Sequence, residues 1–139
     1  MQETKVEACL RRYLKKKGWD IKKEQKKVGE HGVDIYASHE KWRKTLWIEV
    51  KGGTGKHPHQ EKHSAFYIIL GQCLSRMDKE GNSPNKSRIY AIAIPYEWAG
   101  VFRNKIMKMK YGWNLLKLKS FLVKHNGQVV EKPSGFFLK

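Results

Sequence analysis

The sequence predicts a single-domain α/β protein, and three observations carry that prediction. An amphipathic helix opens the chain, strand-like segments then alternate with further helical stretches, and a nearly continuous apolar run is stopped by Pro95. With 139 residues the chain is expected to form one core, spanning 1–139 as one domain and burying roughly two-thirds of the surface its unfolded form exposes. Hydrophobic residues at 40% and charged ones at 30% place it among folded globular proteins rather than disordered ones.

Residues 3–17 set Val6, Cys9, Leu10, Tyr13 and Leu14 at helical spacing, with Lys and Arg opposite and Gly18 as the stop. Trp19 to Val28 alternates loosely among lysines, as an edge strand that discourages sheet association would. Gly29 to Gly32 supplies a turn into the strands 33–37 and 45–51, which are expected to form an antiparallel hairpin. After the glycine-rich stretch Gly52 to Pro58, a helix over 60–77 aligns Phe66, Ile69, Leu70, Cys73, Leu74 and Met77 on one stripe. A polar turn over 81–87 leads to Ile89-Tyr90-Ala91-Ile92-Ala93-Ile94, a buried central strand. Residues 97–110 read as helix and Trp113 to Leu118 as extended. Phe121–Val123 and Val129–Val130 then flank the hairpin signal His125-Asn126-Gly127. The order is αβββαβαβ plus a terminal hairpin.

Twenty-nine Lys and Arg against thirteen Asp and Glu give a formal charge of +16, which concentrates polyanions around the molecule. Nucleic acid is the implied partner, bound with a strong salt dependence. No apolar stretch approaches the ~18 residues that span a bilayer, and the charged N-terminus has no secretory core, so no membrane partner and a cytoplasmic location are expected. Cys9 and Cys73 lack metal or redox spacing and are expected as reduced, buried thiols.

The chemistry lies in the 33–51 hairpin. If Asp34 stands opposite Glu49, the same register pairs Val33 with Val50, Ile35 with Ile48, Tyr36 with Trp47 and Ala37 with Leu46. Val33, Ile35, Ala37, Leu46, Ile48 and Val50 then turn to one face, and Asp34, Glu49 and Lys51 converge on the other. Two acids and a lysine suit phosphodiester hydrolysis: a hard cation takes carboxylate oxygens from Asp34 and Glu49, and the Val50 carbonyl could add a backbone ligand. Lys51 could deprotonate or orient the attacking water, or stabilise the transition state. An ordinary cross-strand charge cluster is the alternative.

Val33-Asp34 followed by Glu49-Val50-Lys51, behind an N-terminal helix, resembles the PD-(D/E)xK nuclease superfamily, also called restriction-endonuclease-like, over residues 3–95. The resemblance implies an αβββαβ core, a mixed β-sheet flanked by helices, here with a C-terminal helix and β-hairpin extension. It implies Mg2+ or Mn2+ on Asp34 and Glu49, with Lys51 assisting the water. It further implies roles in the site for a glutamate on the first helix, here Glu7 as a metal ligand, and for a glutamine on the later helix, here Gln72. Val33 stands where some members carry the name-giving proline.

Gly52-Gly53-Thr54-Gly55-Lys56 is not a Walker A loop, since Val50 and His57 occupy two required positions, but Lys56 and His57 could contact a nucleic-acid backbone there. His59 and His63 lack the glutamate of a zinc protease helix, Gln60 standing in its place. Trp42, Trp47, Trp98 and Trp113 are expected in the core, with base stacking as the alternative. The lysine-rich stretch 15–27 and residues 103–119 are candidate phosphate-contact surfaces. The expected function is a divalent-metal-dependent nuclease acting on DNA, duplex or branched by resemblance, with a homodimer as one way to set two sites against two strands. The alternative is a catalytically inactive nucleic-acid-binding module on the same fold.

Overall fold

The computed structural model describes residues 1–22, 33–77 and 87–139. Helix α1 (Glu3–Lys16) carries Glu3 in its first turn and Lys15 and Lys16 in its last, matching the helix dipole at both ends. It buries Val6, Cys9, Leu10 and Leu14. Gly18, at φ +89°, closes it: the Trp19 N–H returns to the Leu14 carbonyl at 3.0 Å.

Among the described residues six strands form one mixed sheet in chain order: β1 (Asp20–Lys22), β2 (Ile35–His39), β3 (Lys44–Val50), β4 (Arg88–Pro95), β5 (Lys119–Val123) and β6 (Val129–Lys132). The first three are mutually antiparallel, β3, β4 and β5 run parallel, and β6 returns antiparallel. Helix α2 (Pro58–Arg76) makes the crossover from β3 to β4. From β4 to β5 the chain passes through a 3₁₀ turn at Tyr96–Trp98, then α3 (Ala99–Met107) and α4 (Lys110–Leu116). Both crossovers advance across the sheet in the same direction, so right-handed connection puts α2, α3 and α4 on one face and leaves the other to α1.

The two apolar cores follow from that division. Under α1 lie Ile35, Ala37, Leu46, Ile48, Val50, Ala91, Ala93 and Phe121. On the opposite face Tyr90, Ile92, Ile94 and Leu122 meet Phe66, Ile69, Phe102, Ile106 and Trp113. Cys9 belongs to the first core and Cys73 to the second, so both are buried free thiols. Burial also pushes the Cys73 thiol up, which keeps it protonated.

The sequence reading departs from the structure at three places. Trp113 to Leu118 is helical to Leu116 rather than extended, because Met109, Trp113 and Leu116 meet the core at helical spacing while Leu115 is exposed. The Trp113 indole N–H anchors that turn on the Ser134 carbonyl at 3.0 Å. The helix expected over 97–110 is divided, with Lys108 and Met109 separating α3 from α4. On α2, Leu74 is 47% exposed, and Ala65 lies in the core beside Phe66, Ile69 and Cys73. Of the edge strand expected over 19–28, β1 is described, and the turn expected at 29–32 and most of that at 81–87 lie outside the described residues.

Candidate active site

The β2–β3 register is the one the sequence implies: Ile35 pairs with Ile48, Tyr36 with Trp47 and Ala37 with Leu46. Asp34 lies in a bend just before β2, and Lys51 just after β3. The end of the ladder gives Asp34 a structural task. The Lys51 N–H donates to Ala93 on β4 at 3.0 Å, so by alternation the Val50 N–H points the other way, beyond the last β2 pair. There the Asp34 carboxylate accepts it at 2.8 Å through Oδ2. Asp34 therefore closes the hairpin and is held against the end of β3, with the Val50 carbonyl directed to the same side. The Asp34 backbone carbonyl accepts from Arg11 of α1 at 3.3 Å.

Glu49 is 1% exposed, enclosed by the sheet and α2. Its Oε1 accepts from Arg76 Nε at 2.9 Å, and its Oε2 is buried without a hydrogen-bond partner. Burial pushes the Glu49 carboxyl up from its ordinary 4.5 to about 7; Arg76 pulls it down through its hydrogen bond and charge, and the charge of Asp34 adds to the rise. Desolvation wins because one guanidinium replaces only part of the water the carboxylate loses. Gln72 lies one turn before Arg76 on the same side of α2, and its Oε1 is likewise buried without a partner. An orphaned oxygen on a buried carboxylate is what a cation would satisfy.

The donor set fits a hard divalent ion of the magnesium type, which takes one or two protein carboxylates and keeps water in its remaining positions. Asp34 and Glu49 would hold it, with the Val50 carbonyl available. Among the described residues no three His, Cys, Asp or Glu side chains gather into a metal-binding group. Glu7 accordingly does not join the pair as a third carboxylate: it sits 3.5 Å from Arg11, an i,i+4 partner on α1. The first turn of α1 instead brings Glu3 to Lys51, with Nζ 3.8 Å from Oε1. Backbone proximity forces this, since the Gly53 N–H donates to the Met1 carbonyl at 2.8 Å, and a Cβ on Gly52 would stand 2.3 Å from the Glu3 nitrogen. Only glycine fits at 52.

Lys56 and His57 are exposed in the loop before α2. That loop is tied down by the Glu61 carboxylate, which accepts from the Thr54 N–H at 3.1 Å, the Gly55 N–H at 3.3 Å and the Thr54 hydroxyl. These hydrogen bonds, that of Thr54 foremost, hold the Glu61 carboxyl below its ordinary value. Of the four tryptophans expected in the core, Trp98 and Trp113 are buried, Trp47 is half-buried and Trp42 is 52% exposed. The residue that sequence reasoning missed is Arg76. Its signal was a lone cation one helical turn after Gln72, at the edge of an apolar stripe.

These features define an α/β protein with a mixed six-stranded sheet flanked by helices and a pair of acids at the end of its antiparallel hairpin. Two solved structures share the architecture: an XisH family protein from Nostoc punctiforme PCC 73102 and an FdxN element excision controlling factor protein from Anabaena variabilis. Each is 20% identical with a TM-score of 0.62, over 93% of this chain and 98% of the other. The likeness is one of fold. No protein-family model and no curated protein matches the chain. Among the described residues no helix is long and apolar enough to cross a membrane.

Proposed function

We propose that the chain is a divalent-metal-dependent nuclease of the PD-(D/E)xK type that hydrolyses DNA. The observation that carries this reading is Glu49: a carboxylate buried beside Asp34, with one oxygen left without a partner, at the end of a strand whose next side chain on that face is Lys51. Burying a carboxylate with an unsatisfied oxygen is costly, and such groups concentrate at functional sites. In this reading Asp34 and Glu49 bind Mg2+ or Mn2+, the Val50 carbonyl and Gln72 complete the polar lining, and the ion when bound neutralises charge on the phosphate. Lys51, steadied by Glu3, donates to the attacking water or to the phosphate oxygens. Lys56 and His57 contact the backbone outside the reacting group. The +16 charge draws the polyanion in, and one structural neighbour's description as an excision controlling factor is consonant with DNA.

A second reading, an inactive nucleic-acid-binding module, draws on the Arg76–Glu49 ion pair, which already gives the buried acid a cation. One assay separates the two. Purified protein is incubated with linear, circular, single-stranded and branched DNA in magnesium, manganese or chelator, beside Asp34→Ala and Lys51→Ala. Metal-dependent cleavage lost in both variants is expected. Intact DNA in every metal, with binding retained, would establish the module instead.

A further inference from the structure

We propose that the half-open sheet face formed by Tyr36 and Trp47, with Arg88 laid over the indole, is a stacking site for unpaired nucleobases, so that the substrate is DNA with a single-stranded segment beside the scissile phosphate. The inference rests on the nuclease reading only for where the phosphate sits. The platform itself rests on the strand pattern. Along β2 the residues facing α1, namely Ile35, Ala37 and His39, are all buried, while Tyr36 and Ser38 on the other face are only partly so. Trp47 on β3 is likewise half-buried between the buried Leu46 and Ile48.

The three groups form a fixed arrangement. The Tyr36 and Trp47 rings lie 4.8 Å apart, centroid to centroid, and edge-on at 60°. The Trp47 indole N–H donates to the Thr45 hydroxyl at 3.1 Å, which sets the ring's orientation. The Arg88 guanidinium lies 5.3 Å from the Trp47 ring centroid and reaches the Tyr90 hydroxyl at 3.4 Å. That hydroxyl donates in turn to the Arg76 carbonyl at 3.3 Å, tying the platform to the helix that carries the Glu49 partner.

Position and charge select the occupant. The Tyr36–Trp47 pair is the next one along the hairpin from Asp34 and Glu49 on the same face, a distance of about 7 Å at strand rise, or about two stacked bases. The Arg88 guanidinium lies over the indole and the chain as a whole carries +16, so a polyanion is favoured over a cationic ligand. In a duplex the faces of the bases are already stacked and only their edges open onto the grooves. Aromatic rings and a guanidinium plane are therefore of use to bases that have left the helix.

Anisotropy of a labelled oligothymidine and of a labelled blunt duplex, titrated with the protein in chelator, tests the platform without cleavage. Single-strand binding is expected to exceed duplex binding at equal salt. Tyr36→Leu and Trp47→Leu should weaken the oligothymidine complex by roughly five- to a hundredfold and leave the duplex within about twofold, while Tyr36→Phe and Trp47→Phe retain both. Tyr36→Leu keeps the bulk at a partly exposed position, so the test survives if Trp47→Leu fails to fold. Equal loss on both DNAs, or no loss on either, overturns the proposal. Platform-dependent single-strand binding without cleavage in magnesium would uphold it and remove the nuclease reading. Cleavage of single-stranded and branched DNA unaffected by Tyr36→Leu would keep the nuclease and remove the platform.

Discussion

The two faces of the β2–β3 hairpin share one backbone and differ in almost everything else. Toward α1 it presents Ile35, Ala37, Leu46, Ile48 and Val50, all buried against Val6, Cys9, Leu10 and Leu14. Toward α2 it presents Tyr36, Trp47 and a buried glutamate, with Asp34 at its end. The first face supplies hydrophobic stabilisation; the second carries an electrostatic cost that the first must offset. A single residue step along the chain moves from one regime to the other.

Adjacent residues on opposite faces provide the sharpest way to break that contrast. Glu49→Ala should lower metal-dependent cleavage by about a thousandfold or more while the protein still melts cooperatively. Ile48→Ala, one position away, should cost about 2–5 kcal/mol in urea unfolding and leave cleavage per folded molecule nearly unchanged. Equal catalytic losses in the two variants would mean that the faces are not functionally separate.

Arg76 tests the cost side. Its side chain is 17% exposed against 1% for Glu49, so Arg76→Ala leaves a buried charge with less compensation. At pH 8 the expected loss is about 3 kcal/mol or more, and adding Glu49→Gln should restore most of it. At pH 5, where Glu49 holds a proton, the loss should shrink to about 1 kcal/mol, that of a neutral hydrogen bond. The sign for the intact protein follows from the same group. The Glu49 carboxyl titrates at about 7 in the folded chain and at its ordinary 4.5 in the unfolded one. Between those values the folded state holds a proton that the unfolded state has released, so this contribution is full below 4.5 and is lost as pH rises through 7. Its span is at most about 3 kcal/mol. Glu61, whose carboxyl is held low, acts in the opposite sense and only below its ordinary value, so the two windows do not overlap. Urea melts across pH 4.5–8 should therefore show a fall in the wild type that Glu49→Gln flattens. A flat wild-type profile would show that Glu49 is not desolvated.

The hairpin was legible because strand alternation is a two-residue rule: once Asp34 faces Glu49, the burial of Ile35, Ile48, Ala37 and Leu46 follows without reference to the rest of the fold. The parallel order of β3, β4 and β5 was not legible, since one apolar run does not say which neighbours it pairs with and the resemblance implies a mixed sheet only over residues 3–95. Arg76 was hidden for a similar reason. Its partner is 27 residues away, and nothing local marks an arginine at a helix end as the neighbour of a buried acid. Trp113 was misread because Trp113 and Leu115 alternate as strand residues do, whereas Met109, Trp113 and Leu116 are the set that meets the core.

Glu7 gives the smallest expected effect and draws the boundary between the faces. It lies on α1, its carboxylate 3.5 Å from Arg11 at roughly one-third exposure, where an i,i+4 pair contributes about 0.3–0.5 kcal/mol. Arg11 also donates to the Asp34 carbonyl, so Glu7 reaches the site only through the backbone of an acid, not through its carboxylate. Calorimetric titration of Mg2+ into Glu7→Gln should give an affinity within about twofold of the wild type, because neutralising a charge that does not touch the ion changes it only through screened, long-range attraction. A loss of tenfold or more would place Glu7 in the ion's own shell. It would also mean that α1 swings its first turns toward Asp34 when the ion binds, and that the apolar face is less separate from the site than its packing implies.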